Sequence, residues 1–262
     1  MLENKNVFYD LKARMFSGLF FGLLGFTALF YGGMFASVFL AFCLSVLSWE
    51  VFNIFASGRI SSNSLMYLIL AILFFVPILN YYDFYALPML LCCAAASFFV
   101  LERSFLKLFC ILYLGVSILI FQEILLTDGT MSNLKHLLFV VAVVIASDVG
   151  GYFVGRSFGG PKIYSSISPN KTWAGSVGGV ICAIIVSIIA IPFLNYSLII
   201  IITLASILAI SAQAGDFFQS WLKRKYKVKD SGFLLPGHGG FFDRLDGILA
   251  AIPVYYGLLY LF

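Results

Sequence analysis

Ser220–Asp246 reads SWLKRKYKVKDSGFLLPGHGGFFDRLD, and the rest of the chain is organised around it. Lys223, Arg224, Lys225, Lys227, Lys229, Asp230, Asp243, Arg244 and Asp246 crowd this window, with His238 inside the glycine-rich turn PGHGG. The whole chain is 62% hydrophobic and only 11% charged. So dense a polar island between apolar runs is a loop joining two spanning helices. A basic loop that fixes topology accounts for the lysines. It does not account for two aspartates placed three apart just after the glycines. A phosphate-bearing ligand with a metal ion does.

Working outward, the composition excludes a soluble globule. Soluble domains hold about 45–50% apolar and about 25% charged residues. Here the mean hydropathy is +1.03 over 262 residues. Apolar runs longer than about 18 residues recur from end to end, which marks an all-α polytopic membrane protein. A β-barrel would show short alternating segments instead. No polar stretch is long enough for a separate soluble domain. The chain therefore reads as a single membrane domain, with N-terminal helices over 1–134 and a motif-bearing half over 135–262.

About nine transmembrane helices are predicted. They are Met15–Tyr31, Gly33–Phe55, Ser64–Asn80, Phe84–Leu101, Phe105–Phe121, Leu137–Val154, Ala174–Phe193, Leu198–Phe217 and Phe242–Phe262. Basic residues fall on alternate connections, and only Lys135 of the 16 lysines and arginines lies on the other side. By the positive-inside rule the basic face is cytoplasmic. The N-terminus is then cytoplasmic and the C-terminus outside. Charges of both signs before the first apolar run fit a retained first helix better than a cleaved signal.

Several features have ordinary readings. The five cysteines all lie in apolar runs without C-x-x-C spacing, as buried small hydrophobes do. Gly18 and Gly22 make a packing G-x-x-x-G, and Pro77 and Pro88 are kink sites. His136, beside Lys135, is expected to be solvated, and Glu123 and Asp128 to be surface charges. Glu50, next to the interfacial Trp49, is either a structural group at the helix end or an active-site acid.

An ionisable residue at membrane depth costs about 2.5–3.5 kcal/mol or more at a helix centre, so function is its default reading. Asp148 is such a residue. Gly151, Gly155 and Gly159 follow it at four-residue spacing, either as a close-packing face or as room for a ligand beside Asp148 and Arg156. The next loop, SPNKTWAG from Ser168 to Gly175, places Lys171 beside a helix start. A cation is unfavourable there unless an anion shares the site. A plain loop capped by Ser168 or Thr172 is the other reading. No Walker A sequence occurs, so any nucleotide is held differently. Asp216 ends the eighth helix, and Asp243 and Asp246 share one face of the ninth. Gly239 and Gly240 can offer backbone N–H groups to an anion. Asp148, Asp216, Asp243 and Asp246 thus come from three helices at one depth. A divalent cation would relieve their repulsion, and two ions could clamp a phosphoryl centre. Structural pairing with Arg156, Lys223 and Arg244 is the alternative.

The window resembles the signature of the phosphatidate cytidylyltransferases, also called CDP-diacylglycerol synthases. Ser220, Leu222, Lys223, Arg224, Lys229, Asp230, Gly232, Leu235, Pro236, His238, Gly239, Gly240, Phe241, Asp243, Arg244 and Asp246 occupy its fixed positions. Upstream, Asp148–Arg156 and Ser168–Gly175 are similar to two further family motifs. There Asn170 stands for a lysine and Ala174 for a glutamate, and no role is carried over to those two. The resemblance implies transfer of cytidylyl from CTP to phosphatidic acid, giving CDP-diacylglycerol and pyrophosphate at the cytoplasmic face of a bacterial inner membrane. It implies a magnesium centre on Asp216, Asp243 and Asp246, with room for a second cation. Lys223 and Arg244 would join these acids in catalysis. Asp148, Arg156, Lys171, Thr172, Arg224, His238, Gly239 and Gly240 would bind substrate. Lys225, Lys227 and Lys229 would meet anionic membrane lipids. No nucleic-acid partner is indicated, and a homodimer is an open option.

Two rivals stand beside this reading. A CTP-dependent lipid kinase would release CDP rather than pyrophosphate. An ion-coupled transporter would use Asp148 and Asp216 as a relay, but no chain of acids crosses the bilayer.

Overall fold

Apolar runs without internal breakers become helices here, because in an apolar surrounding every backbone N–H and C=O must be satisfied within the segment. A computed structural model describes residues 22–28, 30–56, 104–126, 130–232, 239–259 and 261. In chain order the elements are α1 (Gly33–Phe55), α2 (Phe105–Leu126), α3 (Thr130–Phe158), β1 (Lys162–Tyr164), β2 (Ser168–Thr172), α4 (Trp173–Ile189), α5 (Ile191–Leu194), α6 (Leu198–Lys225) and α7 (Phe242–Leu259). Residues 22–28, 30 and 31 are also helical. The expected helices Ser64–Asn80 and Phe84–Leu101 lie outside the described residues. Among the described residues, four helices are long and apolar enough to cross a membrane: Gly33–Phe55, Phe105–Leu125, Leu134–Phe158 and Leu198–Lys225. The chain is a mainly helical membrane protein.

The helix bounds depart from expectation where polar residues flank an apolar run. α3 begins in the polar turn before Leu137 and runs on through Arg156, and α6 continues past Phe217 to Lys225. Charged side chains end a hydropathy run, yet lysine and arginine are good helix formers. The expected helix Ala174–Phe193 is instead two, α4 and α5, with Pro192 in the first turn of α5. A proline ring clashes with the carbonyl four residues back and removes a donor, and here the helix ends before it. The connection before α4, read as a loop, forms a small antiparallel hairpin pairing Lys162 with Thr172 and Tyr164 with Ser168. It is the one sheet among the described residues of a mostly helical chain.

The chain divides into two compact units. The first comprises Met1–Gln122 and Lys225–Arg244, and the second comprises Glu123–Arg224 and Leu245–Phe262. In the first unit, α1 buries Leu40, Leu44, Leu47, Val51 and Ile54, and α2 buries Cys110, Leu114 and Ile118. The three- and four-residue intervals define one helix face.

In the second unit, α6 buries Ile201, Leu204, Ala205, Leu208, Ala209 and Ala212, and α3 buries Leu137, Val140, Val143 and Val144. The opposite face of α3 exposes Ile145, Val149 and Phe153. An exposed apolar stripe on a spanning helix is what lipid chains cover. His136, expected to be solvated, is half-buried, with Nδ1 2.5 Å from the Tyr255 hydroxyl. The phenol comes from α7, 119 residues away, so neighbouring residues could not signal it.

Glycines set how closely α3 and α4 approach. A Cβ on Gly175 would stand 2.7 Å from the Gly151 carbonyl oxygen and 3.1 Å from the Gly155 Cα. One on Gly178 would stand 2.5 Å from the Val154 side chain, and one on Gly179 2.6 Å from the Ser147 carbonyl oxygen. The Gly151–Gly155 spacing is therefore a helix-packing face, the first of its two readings. Gly175→Ala must push backbone against backbone. Overpacking of this kind costs about 1–3 kcal/mol. A lower thermal midpoint of the detergent-solubilised protein is the expected result.

Candidate active site

The same use of small residues assembles an acidic cluster in the second unit. A Cβ on Gly215 would stand 2.6 Å from both the Asp246 carbonyl oxygen and Ala250 Cβ, so α7 lies directly against α6 there. One on Gly247 would stand 3.0 Å from Val144 Cγ1 and 3.3 Å from Ala212 Cβ. Gly215 and Gly247 thus bring α3, α6 and α7 together beside Asp148, Asp216 and Asp246. The three acids feel one another's charge. Asp246 lies within electrostatic reach of Asp216, Asp148 and Lys171, and Asp148 within reach of Asp216 and Lys171.

Lys171 supplies the positive charge in this group. Its ammonium is ion-paired with Asp216 Oδ2 and stands 5.0 Å from the centre of the Phe217 ring. β2 carries it there, and the next residue, Thr172, stands just before α4. The Thr172 hydroxyl accepts from the Gly175 N–H at 3.1 Å and is buried, so it caps α4. The Ser220 hydroxyl donates to Asp216 Oδ1 at 3.3 Å, and Asp246 Oδ1 accepts from the Gly247 N–H at 2.7 Å. Beneath the acids, the Gln213 amide donates to Ser147 Oγ and to the Ser176 carbonyl, both at 3.1 Å, and its oxygen accepts from the Ser176 hydroxyl. This network ties α3, α4 and α6 together.

The glycine loop belongs to the first unit and is built on carboxylates too. Glu50 of α1 is fully buried. Its Oε1 accepts from the Phe241 N–H at 2.8 Å, and its Oε2 accepts from the Phe242 N–H at 2.7 Å and the Ser231 hydroxyl at 2.8 Å. Asp243 Oδ2 accepts from the Ser231 N–H at 3.0 Å and the Gly240 N–H at 3.2 Å. Gly239 has φ +85, the left-handed backbone that glycine adopts without strain.

The expected site residues are thus divided. Asp148, Lys171, Asp216 and Asp246 gather in the second unit. Asp243, expected as a metal ligand, shapes the loop with one of its oxygens, and Gly239 and Gly240 lie in that loop. Thr172 is a helix cap. Arg156 is exposed and donates to the Tyr152 hydroxyl at 2.8 Å. Arg224 donates to the Ile167 carbonyl in the hairpin turn at 3.4 Å. Lys223 is half-buried and Arg244 exposed. His238 lies outside the described residues. The role of Glu50 in the loop was legible only as one of two options, since its partners are at least 181 residues away. Gln219, three residues beyond Asp216, was not read at all. It is 1% exposed, and neither of its amide atoms meets a hydrogen-bond partner among the described residues.

Among the described residues, no three acidic, histidine or cysteine side chains converge as a ready-made metal cage. The donor chemistry nevertheless suits a hard divalent ion. Three carboxylates supply oxygen ligands only, and magnesium sites use one or two protein carboxylates completed by phosphate oxygens. In this arrangement the Lys171 ammonium provides the positive charge at Asp216.

Residues 12–262 match the sequence profile of the Cytidylyltransferase family. A phosphatidate cytidylyltransferase of Brucella suis is 45% identical over 131 residues, covering 48% of this chain and 46% of that protein. One of Bacillus subtilis is 40% identical over 165 residues, covering 62% of this chain and 60% of that protein. The chain thus spans about half to three fifths of the length of these relatives.

Proposed function

Given that the chain belongs to the Cytidylyltransferase family, we infer that it joins CTP to phosphatidic acid, giving CDP-diacylglycerol and pyrophosphate. The observation that carries this reading is the meeting of Asp148, Asp216 and Asp246 with Lys171, on three helices and a strand of one unit. Acids within reach of one another's charge favour a cation between them, and a nucleoside triphosphate brings magnesium with it. The relatives named as phosphatidate cytidylyltransferases support the same substrates.

The reaction asks for positioning more than for proton transfer. A phosphate oxygen of phosphatidic acid attacks the α-phosphorus of CTP. The new P–O bond forms as the bond to the bridging oxygen of the β-phosphate breaks, and pyrophosphate leaves with that electron pair. The attacking oxygen is already anionic, so general-base help is small. Bringing two polyanions together is the main barrier, and it falls to fixed charges.

Asp216 and Asp246 would hold magnesium, with Asp148 beside them for a second cation. Bound there, magnesium neutralises the charge on the phosphates and orients them. Lys171 would exchange its pairing with Asp216 for a substrate phosphate when the cation enters. Lys223 and Arg244 are assigned to phosphate contacts, with Arg156 and Arg224 as further cations for the lipid headgroup. His238 would orient a phosphate. Asp243, Gly239 and Gly240 shape the loop. The basic connections favour a site at the cytoplasmic face of a bacterial inner membrane, where lipid phosphate and water-soluble nucleotide would meet.

The test uses the purified chain in lipid–detergent micelles with magnesium, phosphatidic acid and CTP labelled at either the α- or the γ-phosphate. Cytidylyl transfer puts the α-label into lipid and the γ-label into pyrophosphate. A γ-label in lipid with release of CDP would replace this reading with a lipid kinase.

A further inference from the structure

We propose that Glu50 is a positioning residue for the reaction: its buried carboxylate fixes Ser231, Phe241 and Phe242, which flank the glycine turn in sequence, in the arrangement that substrate phosphates require. Glu50 lies in α1, outside all three sequence motifs. Yet it makes three hydrogen bonds to the loop, all between 2.7 and 2.8 Å. One reaches Ser231, before residues 233–238. The others reach Phe241 and Phe242, after them.

The fit on each side of the carboxylate is tight. A Cβ on Gly232 would come 2.6 Å from Glu50 Oε1, and a Cβ on Gly240 would come 2.6 Å from Oε2. Both glycines are therefore needed where the chain closes around this acid. The Phe241 and Phe242 N–H groups open α7, where intrahelical acceptors are missing and negative charge is favoured. Glu50 supplies that charge from another helix. Asp243 then closes the loop further by accepting from Ser231 and Gly240. Its carboxylate orientation thus depends on the same two residues that Glu50 contacts or crowds.

A glutamine at this position keeps the volume and loses the match. One of its terminal atoms becomes an NH2 group facing a backbone N–H. The loop must shift to separate the two donors. A displacement of about 1 Å at a phosphate-binding group costs about 10²-fold in rate.

The catalytic part of the inference rests on the cytidylyl-transfer reading, and the structural part does not. The protein and its Glu50→Gln, Glu50→Asp and Ser231→Ala variants are purified in the same micelles. Turnover per folded molecule is measured alongside trypsin cleavage after Lys227 and Lys229, two exposed sites leading into the loop. In Glu50→Gln, kcat should fall about 10²-fold. The KM for phosphatidic acid should change little. Cleavage at Lys227 and Lys229 should quicken relative to Lys162, which lies in the hairpin. Glu50→Asp and Ser231→Ala should show intermediate losses of both kinds.

Unchanged trypsin rates in these variants overturn the proposal. So does faster cleavage with an unaltered kcat, because Glu50 would then only stabilise the fold. Should Glu50→Gln fail to fold, Ser231→Ala decides alone, since it keeps the carboxylate and removes one donor. If the unmutated protein makes no CDP-lipid, the reaction reading fails, while the cleavage rates still report whether Glu50 holds the loop.

Discussion

Asp246→Asn is expected to lower turnover on the order of 10³-fold while leaving the protein folded. The two side chains are nearly isosteric. The asparagine oxygen can still accept the Gly247 N–H that Asp246 Oδ1 accepts at 2.7 Å. The close contact of Gly215 with the Asp246 backbone is untouched. What disappears is one negative charge among three. Losing it relieves repulsion when no cation is bound, so thermal stability should hold or rise. The same loss weakens the site for a cation. Removing a single oriented group that stabilises a developing charge costs about 10²–10³-fold in kcat, and a cation ligand belongs at the upper end. Near-normal turnover in this variant, with unaltered magnesium dependence, would remove Asp246 from the proposed metal centre.

Chelation should have a comparably large effect. Stripping divalent ions with EDTA is expected to take turnover to background, and excess magnesium to restore it. Two unit charges about 4 Å apart interact by about 4 kcal/mol at an effective dielectric constant near 20. Asp148, Asp216 and Asp246 already repel one another, and a triphosphate adds several charges of the same sign. Lys171 pairs with Asp216. A divalent cation would offset this added repulsion, so a metal-free complex should bind nucleotide poorly. Full turnover in EDTA would mean that lysine and arginine alone neutralise the phosphates, the alternative that the sequence left open.

The fold was legible wherever hydrophobicity ran without interruption. α1 has the bounds expected for it, Gly33–Phe55, because Gly32 precedes it and a polar segment follows. The polar extension of α6 to Lys225 was not legible, since helix propensity rather than hydropathy carries it. The hairpin escaped notice because its short strands hold SPNKT, a stretch with no alternating apolar residues. Within the site, Asp148, Lys171, Asp216 and Asp246 stood out as charges in an apolar chain, and the structure gathers these four. Side chains whose partners lie far off in the chain did not announce their roles. Glu50 and Gln213 act across 181 and 66 residues, distances at which spacing rules say nothing.

The separation between Glu50 and Ser231 also bears on how the protein is made. A ribosome adding about 5–20 residues each second needs roughly 10–40 s to cover the 181 positions between them. Throughout that interval α1 has been synthesised, but its carboxylate still lacks the Ser231, Phe241 and Phe242 donors that will satisfy it. An acid without partners costs about 2.5–3.5 kcal/mol at the centre of a spanning segment and less near its end, where Glu50 lies. The nascent α1 should therefore linger near the insertion machinery or the lipid surface, and settle only once the last stretch of polypeptide has emerged.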